Sequence, residues 1–384
     1  MPAEIRLPGR DRPLVITEPG WADHYPPPRR RRVFAAAHVA ATPDGCIDWE
    51  STMRVREHLW AHGFGVAEAM DTAQRGMGLP WVQARGLIAR SAARSGELHT
   101  SLACGAGTDQ LADGADHGLR AIADAYAEQV AFVQSAGAQV ILMASRALAA
   151  CARGPRDYLE VYGELLKQAD RPVILHWLGE AFDPALRGYW GSTDFDAAAH
   201  TVLELIERAG GQVDGVKLSV LDAGREVALR RRLPTGVRLY TGDDLHYAEL
   251  IRGDADGSPG DVRHSDALLG AFAAIAAPAA AALAALDEGD LAGYDAAIEP
   301  TVPLSRLIFE PPTYHYKVGV AFLAWLNGLQ PHFAMLAGLE RQRPARHLIR
   351  VVELAAAARA LTMPGLAAER MGEWLARSAP GEAM

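Results

Sequence analysis

The sequence predicts an α/β fold, a (β/α)8 TIM barrel with a C-terminal helical appendage. Three observations lead there. Short apolar runs alternate with alanine-rich amphipathic stretches over residues 33–286, giving eight strand–helix units with mostly short loops. The competing open doubly wound sheet would carry a glycine-rich nucleotide fingerprint after its first strand, and none is present. From Asp287 the pattern is helical to the end, broken at Pro300, Pro311-Pro312, Pro331 and Pro344. The expected organisation is an N-terminal extension (1–32), a catalytic barrel (33–286) and a helical region packed on it (287–384).

In order, the proline- and arginine-rich start predicts an irregular or hairpin-like extension. The strands are expected at residues 33–40, 65–70, 98–104, 139–144, 173–177, 211–220, 237–241 and, least distinctly, 263–269. Helices are expected at 48–62 (Asp48 as N-cap), 80–95, 119–137, 156–169, 194–209 and 271–286. Gly105-x-Gly107 lacks a third glycine and reads as a turn. The acidic, glycine-rich stretch 254–261 is longer than a connection needs and reads as a lid or a mobile loop.

Composition narrows the function classes. A formal net charge of −9 argues against a nucleic-acid surface and for a small-molecule partner. Nothing approaches the ~18 continuous apolar residues of a membrane span. Three widely spaced cysteines, Cys46, Cys104 and Cys151, predict reduced thiols and a cytoplasmic location.

The lysine usage is the sharpest signal. Of 38 Lys plus Arg, only Lys167, Lys217 and Lys317 are lysines. Arginine stays protonated and cannot form an imine. Lys217 lies in an apolar strand, where burial lowers an amine's pKa and frees it as a nucleophile. In a barrel, residues at the strands' C-terminal ends converge on one site. In strand order these are His38, Glu68 with Asp71, Cys104, Ser145 with Arg146, His176 with Trp177, Lys217 with Ser219, Asp243 with Asp244, and His264 with Ser265. Cys104 reads as a small buried apolar residue.

The segment Gly215-Val216-Lys217-Leu218-Ser219 resembles the imine-forming strand of the dihydrodipicolinate synthase and N-acetylneuraminate lyase superfamily, class I aldolases. Tyr240-Thr241-Gly242-Asp243-Asp244 is similar to the family's Ser-Gly-Asp-Asp turn, and Pro172-Val173-Ile174-Leu175-His176-Trp177 to its Pro-x-Ile-Leu-Tyr-Asn strand. The chain looks like an uncharacterised dihydrodipicolinate synthase-like branch. The resemblance implies a lyase that forms a Schiff base through Lys217, without a cofactor or metal, acting as an aldolase or dehydratase on a keto-acid or oxidised sugar. It also implies a homo-oligomer. His176 stands where the family has its proton-relay tyrosine. Two acids, Glu68 and Asp71, stand where the family has hydroxyls that hold a carboxylate. The expected catalytic residues are Lys217, His176 and Tyr240. The expected substrate-binding residues are His38, Glu68, Asp71, Arg146, Ser219, Asp243 and Asp244. Hydroxyl-rich carbonyl substrates suit these acids, and carbohydrate metabolism is the expected setting. Two other readings remain open. His38, Glu68, Asp71, His176, Asp243 and His246 include enough donors for a metal-dependent sugar isomerase or lyase, though no compact spacing supports it. A non-catalytic small-molecule-binding relative is the other.

Overall fold

The computed structural model describes residues 2–112, 117–253 and 264–377. The stretch 254–261, read above as a lid, lies outside them. Two strands, β1 (Ala3–Ile5) and β2 (Leu14–Ile16), pair antiparallel, so the extension is hairpin-like in part. Eight further strands close a barrel: β3 (Val33–Ala36), β4 (Gly65–Glu68), β5 (Leu102–Ala106), β6 (Gln139–Leu142), β7 (Val173–Leu178), β8 (Val213–Ser219), β9 (Arg238–Thr241) and β10 (Asp266–Leu269). Their order around the barrel is their order in the chain, with β10 beside β3, and the pairings between β4 and β10 are parallel. The strands read as near-continuous buried runs because each is covered on both faces.

Between the strands lie α1 (Trp49–Ala61), α2 (Trp81–Leu98), α3 (Leu119–Ser135), α4 (Arg146–Cys151), α5 (Pro155–Gln168), α6 (Phe195–Arg208), α7 (Ala223–Arg230) and α8 (Tyr247–Arg252). Asp48 caps α1 through Ser51 N, and Asp194 caps α6 through Ala197 N, as their sequences predict. Two expectations need correction. The third strand starts at Leu102 instead of 98, because α2 runs on to Leu98 and ends at His99 in the left-handed conformation (φ 52°). The alanine helix begins later than expected: a 3-10 turn at Ala271–Ala273 precedes α9 (Ala276–Asp287).

The chain divides into two compact units. One holds Arg31–Phe34 and Gly65–Leu269, and so β4 to β10 with α2 to α8. The other holds Met1–Arg30, Ala35–Phe64 and Gly270–Met384. This second unit contains α1, α9, α10 (Leu291–Ile298), α11 (Val302–Ile308), α12 (Lys317–Leu326), α13 (Ala345–Ala357) and α14 (Pro364–Arg377). Every residue of α12 is buried, and Phe322, Trp325, Phe333 and Trp374 form one aromatic cluster around it. Gly319 on α12 is a contact requirement: a Cβ there would lie 2.9 Å from Ile308 Cγ1 on α11.

Candidate active site

Register decides which side chains enter the barrel. His176, Lys217 and Tyr240 are mutual partners across β7, β8 and β9, so they share one face at one level. The alternate residues turn outward. Trp177 stacks on Phe195 of α6, and Thr241 donates to Glu226 of α7. The lumen therefore receives Lys217, whose residue is only 5% exposed. Burial lowers its pKa from 10.5, while the carboxylates of Asp71 and Asp244 pull it back up. That pair of influences places both acids within electrostatic reach of the amine.

His176 lies beside it. Its Nε2 is 3.3 Å from Ser219 Oγ, and its buried Nδ1 has no hydrogen-bond partner. Burial holds its pKa well below 6.5, the Lys217 charge pushes the same way, and Asp71 opposes both. The imidazole is neutral at neutral pH. Gly242 makes room for the group. A Cβ there would lie 2.1 Å from Ser219 Oγ and 3.0 Å from Lys217 Cε.

The turn after β4 positions Asp71. Ala69 takes a left-handed φ of 52°, unusual for a residue with a Cβ. Glu68 secures it: Oε1 accepts from Ala69 N (2.8 Å) and Oε2 from Ser91 Oγ of α2 (2.5 Å). Arg75 closes the turn by donating to the carbonyls of Ala69 and Gly105 and pairing with Asp109 through Nε (2.9 Å). Asp71 then opens a 3-10 turn, Asp71–Ala73.

The expected site residues thus separate. Lys217, His176, Ser219, Asp71 and Asp244 come together. Glu68 is in register with Cys104 and turns to α2, so it shapes the turn and does not join them. Cys104 is buried, and burial pushes its thiol pKa up. Asp243 faces away from the amine: Oδ1 accepts from Leu245 N and His246 N, and Oδ2 lies 2.9 Å from His246 Nδ1. Arg146 is on the exposed side of α4, ion-paired with Asp183 at 2.6 Å. Tyr240 enters the lumen but points its hydroxyl to Asp214 Oδ2 (2.5 Å), while the Oδ1 of the same carboxylate accepts from Arg32 at 3.0 Å. Arg32 and Gln139, which it also contacts, mark the strands' N-terminal ends, the pole opposite a barrel's reactive rim. His264 and Ser265 precede β10 and belong to that pole as well. His38 lies in the second unit, buried, with Nε2 2.8 Å from Gln330 Oε1 and a pKa lowered to about 4 by burial.

Sequence reasoning passed over one group. At the ends of β5 and β6, Thr108 Oγ1 and Ser145 Oγ are 2.6 Å apart. Ser145 N donates to the Tyr189 hydroxyl (3.0 Å), which is 2.8 Å from that of Tyr162. The available signal was Ser145 at the predicted end of a strand, where it was named without its partners. Among the described residues, no group of three or more His, Cys, Asp or Glu side chains is arranged to hold a metal ion. No helix among them is long and apolar enough to cross a membrane.

Residues 6–379 match the profile of a family described as "Protein of unknown function (DUF993)". The chain is a DUF993 protein. No curated protein sequence matches it. Solved structures match its fold. Dihydrodipicolinate synthase from Aquifex aeolicus aligns with a TM-score of 0.65 at 13% identity, over 86% of this chain and 99% of that one. The synthase from Oceanobacillus iheyensis gives 0.63 at 16% identity, over 85% and 95%. A prophage protein of the dihydrodipicolinic acid synthase family from E. coli K12, solved in complex with pyruvate, gives 0.65 at 15%, over 85% and 99%. The DUF993 protein therefore has the fold of that superfamily, as its strand motifs imply.

Proposed function

We propose that this DUF993 protein is a lyase of the class I aldolase type, forming a Schiff base between Lys217 and a carbonyl substrate. The observation that carries the reading is the buried amine of Lys217, its pKa lowered, set beside a neutral imidazole and two carboxylates. The solved neighbours of like fold support it.

The neutral amine adds to the carbonyl carbon, and loss of water leaves a protonated imine. In cleavage the iminium draws the electrons of the adjacent C–C bond; in elimination it draws those of an adjacent C–H bond, and the enamine so formed expels the oxygen on the next carbon, which leaves as water by taking a proton back. Cleavage or elimination there requires a proton to leave the substrate. His176 accepts it, and Asp71 stabilises the imidazolium that forms, consistent with its upward pull on the His176 pKa. Asp244 favours the positive charge on the Lys217 nitrogen in the iminium as it does in the ammonium. Ser219 holds His176 Nε2. Tyr240, Glu68, Asp243 and Arg146 have no direct role in this scheme, because their polar atoms are engaged elsewhere.

The charges also bear on the substrate. Arg146 and Arg75 are each matched by an aspartate, and the lysine faces two more. A carboxylate next to the reacting carbonyl would meet repulsion there, whereas substrate hydroxyls would find acceptors. A polyhydroxylated aldehyde or ketone fits this better than pyruvate. The test is reduction with borohydride after incubation with pyruvate and, separately, with keto-sugars and keto-acids, read by peptide mass. A substrate-dependent adduct on Lys217, absent in Lys217→Arg, is expected. An adduct-free Lys217 under conditions where turnover is measured would refute the mechanism.

A further inference from the structure

The second unit carries a cavity of about 1060 Å³ that the lyase chemistry does not use. It is slightly larger than the ~300–1,000 Å³ typical of small-molecule pockets. Its lining includes five arginines and two glutamates, in a chain whose net charge is −9.

Both glutamates are already matched, Glu340 by Arg341 (3.2 Å) and Glu373 by Arg377 (3.5 Å). The other three arginines are Arg343, Arg346 and Arg370. Arg346 is exposed and has no ion pair among the described residues. Arg370 gives its Nη1 to the carbonyls of Trp325 and Gln330 and has no carboxylate partner among those residues. Arg343 is 6% exposed, pairs with Glu310 (3.7 Å) and donates to the carbonyls of Glu310, Pro311 and Pro312. The Nε of Arg343 is buried without a hydrogen-bond partner. Such an atom costs free energy unless a ligand or water satisfies it. Burial lowers the pKa of both Arg343 and Arg370, against an upward pull from Glu310 on the first and from Glu369 and Glu373 on the second.

The same cavity has aromatic walls. Trp325 and Phe333 stack with centroids 6.0 Å apart, and Phe333 and Trp374 are both half-buried. Guanidinium groups select phosphate through paired N–H donors, and partly exposed rings select a planar base by stacking.

We propose that this cavity binds a nucleoside polyphosphate: the phosphates engage Arg343, Arg346 and Arg370, and the base stacks on Phe333 and Trp374. The site is independent of Lys217 and stands or falls apart from the lyase reading.

The test titrates the full chain with ATP, inorganic tripolyphosphate and adenosine, by calorimetry and by tryptophan fluorescence. ATP is expected to saturate, with affinity falling as salt rises from about 0.1 M to about 1 M. Tripolyphosphate and adenosine should each bind at least about tenfold more weakly. Arg346→Glu, at an exposed position that should leave the thermal midpoint unchanged, should weaken ATP at least about tenfold. Trp374→Ala should weaken ATP but leave tripolyphosphate unchanged. Failure of both ATP and tripolyphosphate to saturate would overturn the site. So would an ATP affinity indifferent to Arg346→Glu. Equal affinity for ATP and tripolyphosphate would overturn the stacking half of the assignment.

Discussion

Gly242 offers the most direct test of how the reactive amine is held. In Gly242→Ala the new methyl would lie 2.1 Å from Ser219 Oγ, 2.9 Å from Leu218 O and 3.0 Å from Lys217 Cε. The backbone cannot simply withdraw, because Gly242 N is bonded to Leu218 O at 2.9 Å. Ser219 can rotate away only by giving up its 3.3 Å contact with His176. The lysine stem must shift as well. Overpacking of this kind costs about 1–3 kcal/mol. A displacement of a reacting group by about 1 Å can cost about a hundredfold in rate.

The assay pairs thermal melting with the rate of borohydride-trapped adduct on Lys217, using the carbonyl that traps in the wild type. The variant should melt lower and trap about a hundredfold more slowly. Ser219→Gly in the same chain removes the 2.1 Å overlap but leaves the Leu218 carbonyl. It should therefore restore part of the stability, with a coupling of at least about 0.5 kcal/mol. A Gly242→Ala protein that melts and traps like wild type would refute the argument that this glycine sets the position of the amine.

Two titrations give further checks. Asp71 and Asp244 favour the ammonium form of Lys217, so Asp244→Asn should lower its pKa further and move the ascending, acid-side limb of the trapping profile to lower pH. A limb that stays put, or moves up, contradicts the electrostatics. Between the depressed folded pKa and 10.5, the unfolded chain holds a proton that the folded chain has lost. Stability there should rise with pH, and Lys217→Met should flatten that slope in urea melts. Glu226 works in the opposite sense. Its pKa is raised from 4.5 to about 8 by burial. Its contribution is present in full below 4.5 and is lost as pH rises toward 8, at up to about 1.4 kcal/mol per pH unit. Glu226→Gln retains polar partners for Thr241 and Ser265 and should reduce the fall in the urea midpoint between pH 6 and pH 8; an unchanged slope would refute the assignment.

The barrel was legible because its evidence is periodic. Eight apolar runs with helices between them survive errors of a few residues at each boundary, as the late start of β5 shows. Lys217 was legible because an amine in an apolar strand conflicts with its surroundings, and the conflict does not depend on register. Its companions depend on register to one residue, and a one-residue step reverses the face. Glu68 illustrates this: it ends β4 but shares the phase of Cys104, so it meets Ser91 instead of the lumen.

The adjacent aspartates show the same limit together with a signal that was present. Asp243 is followed three residues later by His246, and its carboxylate closes on Leu245 N, His246 N and the imidazole, the local bonding that short acidic side chains favour in turns. That leaves Asp244 to act on the amine. Tyr240 fails for a different reason. It has the right phase, opposite Lys217, but a long side chain can lean along the strand in either direction. The direction is set by a bulge: Val173 pairs with Val213 and Ile174 with Gly215, which leaves Asp214 as the extra residue of β8. That residue accepts from both Tyr240 and Arg32 at the far pole. An irregularity in one strand thus withdraws a tyrosine from the site beside its neighbour, and His176 is left as the proton carrier nearest the lysine.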